Sequence, residues 1–343
     1  MWKAHRVPTR GTAIAVCEPR GVFVVAVEDV IHAYYLPGRS PPGWMGRLPR
    51  GGFTFSVDFP DPWAVKDAWY RETSNGTEAL AFTDESHPTP STLLATRRFG
   101  DRVFAVDLDT GRRQIAFTVP EHPRGLASSG SLAAVALRDS SNGWKIVIAV
   151  YRHTGGKWHA CSRTPCGIQS YGRVFFSRYQ SKLSVVVVNA SRAVHAMPVS
   201  PAGKLGGVSA PRKLDVGPDE RPSWRPECSN GRGGVFSVAE MIWTPGPPYG
   251  IIQEVDMDGS VLGYFDTGLA KPTLLAPFTG SCSGLVVYDQ NAGRVKVLTS
   301  PNTIAQSRMS TARVAWMATV ARAIQRRFRA PPKFEIRVPC VVQ

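Results

Sequence analysis

The chain has 343 residues, of which 43% are hydrophobic and 20% charged, with 32 Gly, 28 Pro and a formal net charge of +15. That composition excludes a disordered chain and fits a turn-rich globular one, long enough to bury a sizeable core. No apolar run reaches the length that crosses a bilayer as a helix, and the basic N-terminal stretch leads into strand-like sequence rather than a secretory signal.

In chain order, apolar alternating runs recur in pairs around short polar gaps. Gly21 to Leu36 reads GVFVVAVEDVIHAYYL, Thr92 to Leu108 TLLATRRFGDRVFAVDL, Lys182 to Val199 KLSVVVVNASRAVHAMPV and Gly284 to Thr299 GLVVYDQNAGRVKVLT. Two looser copies, Ser131 to Arg152 and Gly234 to Gly259, have the gap lengthened into a loop. Runs of Val, Ile, Leu, Phe and Tyr with period two suit a pleated, half-buried surface, and gaps such as NASR and QNAGR carry turn chemistry. Each copy therefore predicts a β-hairpin. Flanking runs add about one strand on each side, giving about four strands per repeat and about six repeats roughly 40 to 50 residues apart, the spacing of propeller blades.

The predicted fold is all-β: a six-bladed β-propeller over 11–300, with an insertion at about 38–76 that makes seven blades if it forms a blade of its own. Ala79 to Arg112, ALAFTDESHPTPSTLLATRRFGDRVFAVDLDTGR, resembles an NHL-type propeller repeat, and His122 to Leu137 resembles the opening of the next. The Asn-His pair that names those repeats is replaced by GDR and AGR, so WD-repeat-like propellers share the pattern. His32 and His195 fall at one repeated strand position, where Phe104 and Lys296 stand in two other copies. A position accepting His, Phe and Lys is expected to be semi-exposed rather than catalytic or metal-binding.

After the repeats, Ser300-Pro301 is a helix-start signal, and Pro331-Pro332 a stop. The segment 301–330 is expected to be a basic amphipathic helix. Val314, Met317, Ala321, Ile324 and Phe328 follow one stripe, and Arg308, Arg322, Arg326 and Arg329 the other side. Such a helix packs on its own domain, seats in a partner's groove or lies on an anionic surface. AIQRRFRA resembles the first half of an IQ motif, with Ile324, Gln325 and Arg329 in place and Ala330 where that family has glycine; the resemblance implies calmodulin as a partner. The tail 331–343 alternates again at Phe334, Ile336 and Val338, as a strand would. Either this strand or TAIAV near the N-terminus is expected to close the ring.

Chemistry-bearing patterns are sparse. Cys17, Cys161, Cys166, Cys228, Cys282 and Cys340 are scattered without a CxxC pair, which favours reduced thiols inside the cell over a zinc site. VDLDTG and VDMDGS resemble pieces of calcium loops but lack the bidentate Glu, so they read as hairpin turns. There is no GxSxG, HExxH or P-loop. The expectation is a non-enzymatic scaffold without cofactor, intracellular and not secreted, binding protein partners with acidic surfaces as a structural subunit of a larger assembly such as a virion or an organellar complex. The partner contacts are expected at Arg308, Arg322, Arg326, Arg329, Ile324, Gln325 and Phe328. The charge also permits a nucleic-acid-binding propeller, with weak nonspecific phosphate contacts as the minimum. A propeller hydrolase or lactonase is the third reading; it would need carboxylates and amides converging at the central channel.

Overall fold

The computed structural model describes residues 4–6, 11–17, 22–27, 30–35, 53–56, 77–83, 92–97, 100–107, 113–120, 122–139, 145–169, 173–212, 214, 223–230, 233–240, 251–267, 269, 274–277, 285–289, 292–298 and 308–309. Among them the structure is all strand and forms six antiparallel sheets.

The first sheet runs β2 (Ala13–Cys17), β3 (Val22–Val27), β4 (Val30–Tyr35), β5 (Phe53–Ser56), numbered after a short N-terminal strand that joins the sixth sheet. The second runs β6 (Thr77–Phe82), β7 (Leu93–Arg97), β8 (Arg102–Val106), β9 (Arg113–Thr118). The third is β10 (His122–Ser129), β11 (Leu132–Arg138), β12 (Lys145–Thr154), β13 (Lys157–Gln169). The fourth has β14 (Val174–Tyr179), β15 (Lys182–Val188) and β16 (Val194–Pro198), with a bridge from Val194 to Arg212 where a fourth strand would lie. The fifth is β17 (Ser223–Ser229), β18 (Gly234–Glu240), β19 (Ile251–Asp256), β20 (Val261–Asp266), extended by β24 (Arg308–Met309). The sixth is β21 (Leu274–Pro277), β22 (Leu285–Asp289), β23 (Arg294–Leu298) and, on its outer edge, β1 (Ala4–Arg6).

Every paired run of the sequence becomes the second and third strands of one sheet, counted from its inner strand. The inner strands β2, β6, β10, β14, β17 and β21 each touch the next, and β21 touches β2, so the sheets stand as blades around a ring. The six apolar clusters of the core each join two neighbouring blades. Alternation explains how one strand serves two clusters: Val22, Val24 and Ala26 pack toward the second blade, Phe23 and Val25 toward the sixth. Both faces are buried, which is why these strands read as almost unbroken apolar runs.

Ring closure differs from the expectation. TAIAV forms the inner strand of the first blade, and the closing strand is the preceding Ala4–Arg6, paired with β23 (Ala4 opposite Lys296, Arg6 opposite Arg294). Between these two strands Gly11 N–H donates to the Tyr288 hydroxyl at 2.9 Å, and a Cβ on Gly11 would sit 2.8 Å from the Tyr288 ring and from Val25. Glycine is required there by the close approach of blades one and six. Within the insertion, Phe53–Ser56 is the outer strand of the first blade, paired with β4.

Candidate functional site

Of the residues expected to contact partners, Arg308 lies in β24, opposite Phe265 of β20. It is part of a strand added to the edge of the fifth blade, not of a helix, because the backbone groups of an outer strand offer unmade hydrogen bonds that an extended segment satisfies. Arg322, Ile324, Gln325, Arg326, Phe328 and Arg329, the tail 331–343 and the rest of the helical segment lie outside the described residues.

The repeated position resolves into four corresponding places. His32, Phe104, His195 and Lys296 stand on the third strands opposite Val25, Ala95, Val187 and Val287. The expectation of semi-exposure holds at His32 and Lys296, but Phe104 and His195 are buried. Burial lowers the His32 pKa from its ordinary value. His195 has a partner at each ring nitrogen, the Ser209 carbonyl 3.2 Å from Nδ1 and Asn189 Nδ2 3.2 Å from Nε2. The carbonyl can only accept, so Nδ1 carries the proton and Nε2 accepts from the amide. Asn189 is oriented in turn by Ala193 N–H, which donates to its Oδ1 at 2.8 Å. His195 is a satisfied core residue tying the β16 turn to the loop after it.

The densest set of buried polar groups lies between the fourth and fifth blades. Glu227 sits at a bulge in the inner strand β17, between Pro226 and Cys228. Its side chain has no solvent exposure and pairs with Arg173 at 2.9 Å, whose side chain keeps 35% exposure. A lone carboxylate would not be buried there without such a cation. Ser229 Oγ donates to Ser177 Oγ at 3.2 Å, and Ser177 Oγ donates to the Gly234 carbonyl at 3.5 Å. Ser184 is paired with Ser177 across the fourth blade, and Gln253 with Ser237 across the fifth. Two residues from Val235 and Val255, which pack on the fourth blade, Ser237 and Gln253 face the same way. Gln253 is fully buried, and neither its amide group nor the Ser237 hydroxyl has a hydrogen-bond partner in the structure.

This arrangement locks inner strands together. It offers no accessible carboxylate: Glu227 is enclosed and bound by Arg173. Cys228 points into the apolar contact with the sixth blade, and burial, reinforced by Glu227 and opposed by Arg173, pushes its pKa well up, which keeps it a neutral thiol. Among the described residues no three His, Cys, Asp or Glu side chains come together as metal ligands. VDMDGS is a hairpin turn, as expected. Gly259 N–H donates to the Asp256 carbonyl at 2.9 Å, and Ser260 N–H donates to Asp258 Oδ1 at 2.8 Å, which together with the Ser260 hydroxyl lowers the Asp258 pKa. Cys17, Cys161, Cys166 and Cys228 are free thiols. Trp158 packs tilted on Phe117, 5.4 Å between centroids, joining the core of blades two and three. Among the described residues there is no helix long and apolar enough to cross a membrane.

The polar seam escaped sequence reasoning because Arg173 and Glu227 belong to different repeats. A signal was present: a glutamate inside the strand SWRPECS, and Ser and Gln alternating with Val and Ile in GVFSVAE and IIQEVD.

No protein-family model and no curated protein sequence matches the chain. Solved structures do. The calcium-binding protein regucalcin of Agrobacterium tumefaciens superposes with a TM-score of 0.51 at 14% identity, over 86% of this chain and 93% of its own. The Swd1 β-propeller domain of Myceliophteria thermophila gives 0.50 at 9% identity, over 87% and 99%. A chain of the mitotic checkpoint complex gives 0.51 at 8% identity, over 87% and 93%. At such identities the likeness concerns the fold alone. With the ring of inner strands and the six interblade cores, it establishes that the chain is a β-propeller, resembling the NHL- and WD-repeat types.

Proposed function

We propose that the chain is a non-enzymatic propeller scaffold for protein–protein contacts, a structural subunit of a larger assembly. The observation that supports this reading most is the use made of charge at the inner ends of the blades. Glu227 is bound to Arg173, and Ser177 and Ser229 bond to one another across the blade boundary, so these groups hold the ring rigid instead of facing a substrate. A rigid ring presents loops and strand edges at low ordering cost to a partner. The reading assigns the protein to the cell interior, where Cys161 and Cys166 stay reduced. It also assigns partner contact to the segment after β24, through Ile324 and Phe328 with Arg322, Arg326 and Arg329 beside them.

The test is to purify the full chain from nuclease-treated extract at physiological salt and to measure the mass and stoichiometry of the complex. A stoichiometric protein partner, lost when Ile324 and Phe328 are both changed to Asp, is the expected outcome. A tight sequence-selective nucleic-acid complex at that salt, or turnover of a lactone panel in the presence of divalent metal, would overturn the scaffold reading.

A further inference from the structure

Charge is shared unevenly along the chain. Between Asp139 and Asp215 there are eleven Lys and Arg and no Asp or Glu, so this stretch supplies most of the net charge of +15. It folds as β12 to β16 and the segment that follows, which belong to two adjacent blades, the third and fourth.

Strand directions decide where that charge goes. Each of these blades begins with its inner strand, and every following strand is antiparallel to the one before. The β10–β11, β12–β13 and β14–β15 turns and the end of β16 therefore lie at one end of the ring, where the inner strands finish. Lys157 opens β13, Arg178 and Lys182 flank the β14–β15 turn, and Lys204 follows β16; all four are exposed. Arg152, opposite Leu132, is half-buried at the same end. None of the four exposed cations forms an ion pair with a described residue. The described carboxylates at this end, Asp107, Asp256 and Asp258 among them, belong to the flanking second and fifth blades.

The cations are held at fixed places. His153 N–H donates to the Ser131 carbonyl at 2.8 Å, which joins the first two turns. Gln180 and Ser181 make the next turn at φ 49° and 62°. Gly203 N–H donates to the Ser200 carbonyl at 2.8 Å, and Ser162 Oγ donates to the Gly203 carbonyl at 2.7 Å, so the turn bearing Lys204 is fastened to the third blade. Charges set on a rigid frame meet a row of anionic groups at low ordering cost. Between them the turns carry Gly130, Gly155, Gly156, Gln180 and Ser181. Among the described residues the exposed large apolar side chains are Ile115 and Leu262, on the second and fifth blades. A protein partner is held chiefly by aromatic and apolar anchors, and a membrane surface by apolar side chains that insert; phosphates need neither.

We propose that this end of the third and fourth blades binds the phosphate backbone of a nucleic acid, without reading its bases, through Lys157, Arg178, Lys182 and Lys204. Charge-assisted hydrogen bonds to phosphate oxygens and the release of counterions supply the affinity, which is weak at physiological salt. The surface lies beyond the scaffold reading and does not depend on it.

The experiment uses the full chain and two fluorescent DNA duplexes of about 20 base pairs and unrelated sequence, titrated at several salt concentrations. Both duplexes should bind alike, and the logarithm of the affinity should fall against that of salt with a slope of about −3.6, as for four neutralised phosphates. Lys157→Ser, Arg178→Ser, Lys182→Ser and Lys204→Ser together should weaken binding at low salt at least about tenfold with an unchanged melting temperature, since only exposed side chains are replaced. Lys157→Ser with Lys182→Ser should remove about half of the slope and serves if the fourfold variant does not fold. Parent-like binding by the fourfold variant, or a strong preference for one of the two sequences, would overturn the proposal. So would binding that survives in the fourfold variant and is lost when Arg308, Arg322, Arg326 and Arg329 are changed to Ser. Polyglutamate and phosphatidylserine vesicles serve as comparators; either one held by the four cations more tightly than the duplexes would overturn a nucleic acid as the occupant.

Discussion

The fourth blade has two faces that differ in kind. Toward the third blade it presents Val174, Phe176, Val185, Val187 and Met197 to Leu132, Ala134, Ala136, Ile146, Ile148 and Val150, an apolar contact. Toward the fifth it presents Phe175, Val186 and Val188, and among them Ser177 and Ser184, to a surface carrying Glu227, Ser229, Ser237 and Gln253. The same strands make both, offset by one residue. An apolar face holds by area and tolerates small shifts; a polar seam holds only in one register, since a slip would leave Glu227 or the serines buried without partners. The third and fourth blades are thus joined by burial, and the fourth and fifth by burial together with specific pairing.

The largest effect should come from breaking that pairing. Arg173→Ala leaves the Glu227 carboxylate enclosed without its cation and should destabilise the ring by about 3 kcal/mol or more, read from urea unfolding. On the apolar side, Met197→Ala opens a cavity in a fully buried site and should cost about 2–3 kcal/mol in the same assay. If Met197→Ala proved the more damaging by a wide margin, the seam would be incidental packing. Next, Ser237→Ala with Gln253→Leu removes buried polar atoms that have no partners and should leave stability unchanged or raise it by about 1 kcal/mol, a gain that the all-apolar face cannot offer. A clear loss would show that these groups are satisfied by enclosed water.

A smaller effect is expected at the hairpin that ends the two faces. Gln180 and Ser181 hold φ of 49° and 62°, where the third blade uses Gly155 and Gly156 for the corresponding kind of turn. Gln180→Asn with Ser181→Gly should raise stability by about 1 kcal/mol, measured by thermal melting. The smallest concerns pH. Burial lowers the folded-state pKa of His32, so its contribution is intact above the unfolded value of about 6.5 and is lost as pH falls through the folded one. His32→Gln should flatten that part of the stability curve below about pH 6.5 and leave it unaltered above.

The hairpins were legible because their cause is local. VVVVNASRAVHAM carries alternation and turn chemistry within one stretch, and the strands fall at 182–188 and 194–198 with Arg192 at φ 67° in the turn. The repeated place of His32 and His195 was legible for the same reason, but not the burial of His195, which depends on Ser209 and Asn189 around it. The seam was hidden because Arg173 and Glu227 acquire meaning only when adjacent blades are placed side by side. Ala4–Arg6 is too short to show a pattern, so the stronger strand signals, TAIAV and the C-terminal tail, drew the expectation of closure, and TAIAV belongs to the inner ring. Arg308 was read from helical spacing, yet pairing with β20 decided its conformation.

Ring closure is the claim on which both faces of every blade depend. Hydrogen exchange with and without residues 1–6 measures it most directly. With β1 in place the inner strands should be protected to a similar degree, as one cooperative unit. Without it, protection should fall first in β23, whose partner is lost, and then in β2 and β22, where Gly11, Val25 and Tyr288 join the sixth blade to the first. Unchanged protection of β2 and β22 after the deletion would contradict closure by Ala4–Arg6.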